Sequence, residues 1–279
     1  MGMSRRAMLR GTAGAVALGT AAALPGTAHA DRGRLRIPPD AISVQLYSLR
    51  DLLQADTPGT LSKLADIGFR RVELAGLYGR SATEFKSLLD RNHMTASSTH
   101  VGVDGVDVNK VIEDAKILGN EKIVHPYSNF GTIAEWKSFA GRLETAGSAI
   151  RKAGLHLGYH NHDQEFHSLQ SQRPYDVLTN GTTALNVHLE EDLFWVVNGG
   201  ADPVQEVYRT FGRVLQFHVK DRKLDGTMVN PGEGDIDFAN IFRRTWHEGV
   251  QEYIIEHDQP TDALEFARVG YNFLYNIRF

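Results

Sequence analysis

The sequence predicts a single (βα)8 barrel of the TIM type. Two observations carry that expectation. Eight short β-branched or apolar runs alternate with amphipathic stretches over about 240 residues, and nothing in the alternation marks a second domain. The runs also end in polar or ionisable residues, as barrel strands do at the end that carries function.

The expected strands are 42–46, 71–74, 95–100, 122–125, 155–160, 187–191, 214–219 and 253–256. Between them, residues 57–67, 82–92, 109–118, 133–153, 203–211 and 238–248 show helical spacing of apolar residues. Gly68, Gly119, Gly154, Gly212 and Gly249 stand near the ends of five of these stretches, where a helix stop is expected.

Residues 1–30 read differently. Arg5, Arg6 and Arg10 lie in a segment without acids, an uncharged Ala/Gly/Leu-rich run follows, and Ala28-His29-Ala30 is a small-x-small cleavage signal. The Arg5-Arg6 pair, with Ser4 before it and Leu9 after it, resembles a twin-arginine export signal. The expectation is therefore a signal peptide over 1–30, a polar linker over 31–41 with Pro38-Pro39, and a barrel over 42–279. The partner implied is the twin-arginine export machinery, and the location is outside the cytoplasm. The apolar run is too short and glycine-rich for a stable membrane span.

Removing residues 1–30 leaves 27 basic against 34 acidic residues, a net charge of −7. An acidic chain lacks the basic face that nucleic acid or an anionic membrane requires. With no cysteines, disulfides and thiolate metal sites are excluded, and stability must come from the core.

Chemistry collects at the expected strand ends. These carry Gln45, Glu73, His100 and His125 on strands one to four. Strand five runs into Tyr159-His160-Asn161-His162-Asp163-Gln164-Glu165, and strand six into Glu190-Glu191-Asp192. Strand seven ends in His218-Val219-Lys220-Asp221, and strand eight in Glu256-His257-Asp258. Burying so many polar groups is costly unless they ligate, bond or catalyse. Asp192, His218 and Glu256 follow one another at 26 and 38 residues, each spacing compatible with one βα unit. Strand five adds Glu165 or His160. Carboxylates with imidazole suit Mn²⁺, Mg²⁺ or Co²⁺, and Zn²⁺ and Fe²⁺ are also compatible.

Gln45-Leu46-Tyr47-Ser48-Leu49-Arg50-Asp51, Gly158-Tyr159-His160-Asn161-His162-Asp163, Phe217-His218-Val219-Lys220-Asp221, Gly232-Glu233-Gly234-Asp235-Ile236-Asp237-Phe238 and Ile255-Glu256-His257-Asp258 resemble the sugar phosphate isomerase/epimerase family of the xylose-isomerase-like TIM barrel superfamily. The resemblance spans about residues 42 to 275. It implies a metal held by Glu165, Asp192, His218 and Glu256, with His160 standing where many relatives place the strand-five carboxylate.

The activity so implied is isomerisation or epimerisation of a sugar or oxidised sugar through proton abstraction next to a carbonyl, with a divalent metal polarising the oxygens. Candidate acid/base residues are Glu165, Glu256, His160, His162, His100 and Lys220. Candidate substrate contacts are Gln45, Glu73, His125, Trp195 as a stacking wall, and Glu233 in a tight loop at the entrance. The alternative is a 3-keto-glycoside lyase, in which the same proton loss leads to β-elimination with a histidine protonating the leaving oxygen. The histidine-rich strand-five run and the export signal favour it. A non-catalytic sugar-binding protein is a further alternative, and a DNA-repair endonuclease of the same superfamily should be basic, which this chain is not.

Overall fold

A computed structural model describes residues 35–279, so the expected signal peptide lies outside the described residues. Eight parallel strands close into a barrel. They are β1 (Ile42–Gln45), β2 (Arg71–Leu74), β3 (Thr95–His100), β4 (Lys122–His125), β5 (His156–His160), β6 (Val187–Asp192), β7 (Val214–Val219) and, after a two-stranded ribbon of β8 (Asp221–Arg222) and β9 (Met228–Val229), β10 (Glu252–Ile255). Each pairs with the next, and β10 closes on β1 through Val44 opposite Ile255. The expected strands agree with these to within a residue at either end.

Helices wrap the outside: α1 (Arg50–Ala55), α2 (Thr57–Ile67), α3 (Ala82–Arg91), α4 (Val108–Leu118), α5 (Ile133–Lys152), α6 (Pro174–Gly181), α7 (Leu193–Asn198), α8 (Pro203–Arg209), α9 (Phe238–Thr245) and α10 (Ala263–Asn276). Their starts are chemically marked. Ser81 and Glu84 form a capping box at α3, and Thr132 caps α5 through Glu135 N–H. Gly119 ends α4 in the left-handed conformation at φ 78°. The segments α1, α6, α7 and α10 and the β8–β9 ribbon are not among the expected elements. Three of those helices span eight residues or fewer, too short for a clear period, and α10 follows the last strand.

Residues 35–41, read from sequence as linker, pack on the barrel. Leu35 and Phe279 exchange backbone hydrogen bonds at 2.8 and 3.1 Å, and Ile37 is buried. No helix among the described residues is long and apolar enough to cross a membrane.

The apolar core fills the layer between sheet and helices, where Val72, Leu74, Phe217 and Ile255 meet Leu61, Phe85, Phe139 and Phe266. The barrel interior is polar. Ser97 Oγ donates to Glu252 Oε1 at 2.6 Å, Gln216 Nε2 donates to Glu252 Oε2 at 3.1 Å, and Ser98 Oγ donates to Glu73 Oε2 at 2.5 Å. A register shift makes this possible. Val72 pairs with Ala96 and Glu73 with Ser98, so Ser97 is a bulge residue and two successive serines reach interior carboxylates. These bonds offset the cost of burying carboxylates.

Candidate active site

The C-terminal ends of the strands surround a cavity of about 510 Å³ lined by His100, His160, His162, Lys220, Glu256 and Asp258, with Tyr47 and Tyr127 at its rim. At its floor, His160, Asp192, His218 and Glu256 each present one ligand atom, and these atoms lie within 4.8 Å of one another. They come from the ends of β5, β6 and β7 and from the residue after β10, so closure of the barrel brings them together.

Local chemistry fixes each. Asp192 is the N-cap of α7: Oδ1 accepts Trp195 N–H at 3.0 Å, while buried Oδ2 faces the Lys220 ammonium at 3.0 Å. The Asn161 side chain bridges the strand ends, accepting Asp192 N–H at 3.0 Å and donating to Asp192 carbonyl oxygen at 3.3 Å. His218 lies between carboxylates, Nδ1 at 2.7 Å from Glu256 Oε2 and Nε2 at 2.7 Å from Glu73 Oε1.

Lys220 Nζ sits 2.8 Å from Glu256 Oε2, 3.0 Å from Asp192 Oδ2 and 2.9 Å from Asp258 Oδ1. Its ring neighbour is Trp195, whose centroid lies 5.6 Å from Nζ. Trp195 also packs 5.3 Å from the His162 ring. It therefore supports Lys220 and His162 and does not line the cavity, and the aromatic rings that do line it are Tyr47 and Tyr127. Both stand two residues beyond a strand-end polar residue, Gln45 and His125, a signal present in the sequence.

Charges follow from this packing. Burial alone would protonate Glu256, but Lys220 and His218 outweigh it and hold the carboxyl well below the usual range. Burial pushes Asp192 up to about 6 against the pull of Lys220 and His218. Burial opposes charge on His218 and His100, yet neighbouring carboxylates prevail, raising His218 well above its ordinary value and His100 to about 9. Burial, with Lys220 adding to it, lowers His162 to about 3, so its imidazole is neutral.

Several expected site residues are placed elsewhere. Glu165 lies outside the four-residue cluster, fully buried, with Oε1 accepting from Tyr159 Oη at 2.6 Å and Oε2 accepting His162 N–H at 3.0 Å. His160 occupies the strand-five position in the cluster. Gln45 and Glu73 lie beneath the cavity and bond each other at 2.9 Å, where Glu73 faces histidines. His125 braces two loops: Nδ1 accepts Val103 N–H at 3.2 Å and Nε2–H donates to Tyr127 carbonyl at 2.9 Å.

Glu233 is exposed and accepts from Asn230 Nδ2 at 3.0 Å, away from the cavity wall. Its loop is explained by Asp221. The buried Asp221 carboxylate accepts the N–H groups of Gly232 and Gly234, each at 2.9 Å, and of Ile236 at 3.3 Å. The His-Val-Lys-Asp and Gly-Glu-Gly segments are thus two halves of one hydrogen-bonded unit.

Comparison with known proteins agrees with this architecture. Residues 61–272 match the family described as Xylose isomerase-like TIM barrel. The inosose dehydratase of Geobacillus kaustophilus is 22% identical over 253 residues, covering 73% of this chain and 80% of that protein. That of Bacillus licheniformis is 24% identical over 259 residues, covering 77% and 86%. A crystal structure of a sugar phosphate isomerase/epimerase from Parabacteroides distasonis superposes with a TM-score of 0.74 at 25% identity, covering 85% of this chain and 98% of that one. With three quarters of its length matched, this chain belongs to the xylose isomerase-like TIM barrel family.

Proposed function

We propose that this protein is a divalent-metal-dependent enzyme that removes a proton from carbon next to the carbonyl of a sugar or keto-sugar. The observation that carries the proposal is the convergence of His160, Asp192, His218 and Glu256 at the floor of the cavity. Two imidazole nitrogens and two carboxylate oxygens fit a borderline-hard divalent ion, and Asp192 Oδ2 turns into the cluster, facing the Lys220 ammonium at 3.0 Å and His160 Nε2 at 3.7 Å. Such an ion, Mn²⁺, Mg²⁺ or Co²⁺ before Zn²⁺ or Fe²⁺, supplies Lewis acidity toward a carbonyl oxygen when bound.

The remaining steps belong to side chains. His162 is the cavity-wall imidazole with no side-chain hydrogen bond among the described residues. Its neutral ring takes the proton from carbon as negative charge develops on the substrate beside it, which offsets the burial and the Lys220 charge that otherwise disfavour its protonation. Tyr47 and Tyr127 offer ring faces to the apolar face of a sugar. The Lys220 ammonium is the proton donor to oxygen. If carbon is reprotonated, the outcome is isomerisation or epimerisation.

A second outcome, elimination, is favoured by the names of the two relatives given above, both inosose dehydratases. There the C–H electron pair forms a C=C bond, the neighbouring C–O bond breaks, and the departing oxygen takes its proton from Lys220. A 3-keto-glycoside would lose its C1 substituent in this way.

The test is NMR of 3-keto-glucosides and free keto-sugars in deuterium oxide with metal-loaded protein. Exchange of the hydrogen beside the carbonyl is expected with wild type. His162→Gln should lose exchange and turnover together by about 10²–10⁴-fold. Exchange at the wild-type rate in that variant rules out His162 as base, and no exchange with any keto-sugar rules out the chemistry. New unsaturated product identifies elimination.

Export by the twin-arginine route belongs to the same reading and rests on Arg5, Arg6 and Ala28-His29-Ala30. Arg5→Lys with Arg6→Lys should retain the protein in the cytoplasm, and normal export of that variant rules the route out.

A further inference from the structure

Beneath the cavity floor, one carboxylate oxygen faces three imidazoles. Glu190 Oε1 lies 2.6 Å from His100 Nε2, 3.1 Å from His160 Nδ1 and 3.0 Å from His218 Nε2. Glu190 is fully buried, and its other oxygen, Oε2, has no partner. Glu73, the second carboxylate in this layer, is occupied differently. It also accepts from Gln45 Nε2 and Ser98 Oγ, at 2.9 and 2.5 Å, and so is anchored to the barrel framework. Glu190 is engaged by histidines alone.

A carboxylate oxygen in contact with three ring nitrogens is the acceptor, so the nitrogens turned toward Glu190 Oε1 are the hydrogen-bearing ones. For His160 this leaves Nε2, the nitrogen 3.7 Å from Asp192 Oδ2, as the lone-pair atom. His218 differs, because Glu73 also faces its Nε2 at 2.7 Å and Glu256 faces its Nδ1 at 2.7 Å, so both nitrogens of that ring meet carboxylates. His160 is therefore the ring whose cluster-facing nitrogen is set by Glu190 alone, since Glu190 is the one carboxylate beside its Nδ1. Carboxylates behind ligating histidines fix the tautomer and raise the basicity of the ring.

We infer that Glu190 is a positioning residue that sets the tautomer of the His160 imidazole and so turns its Nε2 toward the cluster for a divalent cation. The inference rests on the metal-site reading above. It also gives the neighbouring carboxylates of β6 distinct tasks: Glu190 orients His160, and Asp192 is itself a ligand. Glu191, which intervenes, is buried with neither oxygen hydrogen-bonded.

The test uses the mature protein, ¹⁵N-labelled at histidine and stripped with chelator. Long-range ¹H–¹⁵N spectra read the tautomer directly, and His160→Asn assigns the His160 signals. Wild-type His160 is expected as the Nδ1–H form, with an unprotonated Nε2. An Nε2–H form in wild type overturns the inference without any Glu190 variant.

In Glu190→Gln the His160 signals should move toward a tautomer mixture. Calorimetric titration with Mn²⁺ should show affinity reduced by about 10–100-fold, the range for partners behind a ligand. Glu190→Ala should show the same at greater size. Wild-type affinity in both folded variants, or an unchanged tautomer, overturns the role of Glu190. Absence of Mn²⁺ binding by wild type overturns the metal reading instead, while the tautomer still reports on Glu190.

Discussion

Tyr159 donates a 2.6 Å hydrogen bond to Glu165, and this bond holds the strand-five carboxylate away from the cavity. Tyr159 and His160 are adjacent on β5 and so point to opposite sides of the sheet, Tyr159 into the helix layer and His160 into the barrel. Glu165 follows Tyr159. Glu165→Ala should therefore leave Mn²⁺ affinity near that of wild type while costing about 1–3 kcal/mol of stability, because the Tyr159 hydroxyl loses its acceptor in a buried site. His160→Ala should lower Mn²⁺ affinity by about 100-fold or more, beyond what loss of an outer partner causes. Calorimetry and urea unfolding on the two variants check the pair, and the reverse pattern would restore Glu165 as ligand.

The proposed ligands His218 and Glu256 should separate affinity from stability. His218 is surrounded by Glu73, Glu190 and Glu256 within 3.0 Å, and removing it leaves buried carboxylates facing one another. His218→Ala should abolish metal binding and cost about 3–5 kcal/mol. Glu256→Gln keeps its shape at the cavity surface, and Lys220 keeps Asp192 and Asp258. It should lose metal affinity and lower the urea midpoint by less than His218→Ala does, since one charge is lost while Lys220 keeps two carboxylates. Equal destabilisation by both would contradict this account of the buried charges.

The contact between Asp221 and Gly234 makes a second structural prediction. A Cβ at position 234 would lie 2.1 Å from Asp221 Oδ1 and 2.6 Å from Arg222 carbonyl oxygen. Gly234→Ala should destabilise by about 1–3 kcal/mol as the loop is pushed off its acceptor. Its cost should shrink in an Asp221→Ala background, where the bulkier of the two obstacles is gone. A double-mutant cycle measures this, and strict additivity would mean the contact carries no energy.

His188 gives the pH dependence. It is buried against Gly158, its Nε2 lies 3.2 Å from Gln216 Oε1, and its Nδ1 has no partner. Burial, together with nearby Lys122, lowers it to about 3. A histidine that takes up its proton more readily unfolded than folded stabilises the fold fully above its ordinary value of 6.5, and that stabilisation is lost as pH falls from there toward 3. The loss should approach about 1.4 kcal/mol per pH unit. The difference in unfolding free energy between wild type and His188→Leu isolates this slope from other carboxylate titrations. A difference that stays flat between pH 6.5 and 4 would refute it.

The sequence alone determined the strand series. Every barrel strand appears in it as a β-branched or apolar run, because parallel strands covered by helices favour such residues toward the helix layer, even where, as in Thr95–His100, few are apolar. It also determined which residue types stand at the strand ends, and so the carboxylate–imidazole chemistry, including Asp192, His218 and Glu256. Short helices such as α6 and α7 were not legible, since eight residues or fewer make too little period to tell from a loop.

Only the tertiary structure decided which polar residues share a point in space. His160 and Glu165 are five positions apart and chemically equal as candidates, and the pleat of β5 sends one inward while Tyr159 draws the other out. Trp195 and Tyr127 are both aromatic residues beyond strand ends, yet one props Lys220 and the other lines the cavity. Glu73, Glu190 and His218 come from β2, β6 and β7, and no spacing along the chain reports that a closed barrel of this diameter puts their side chains within 3.0 Å.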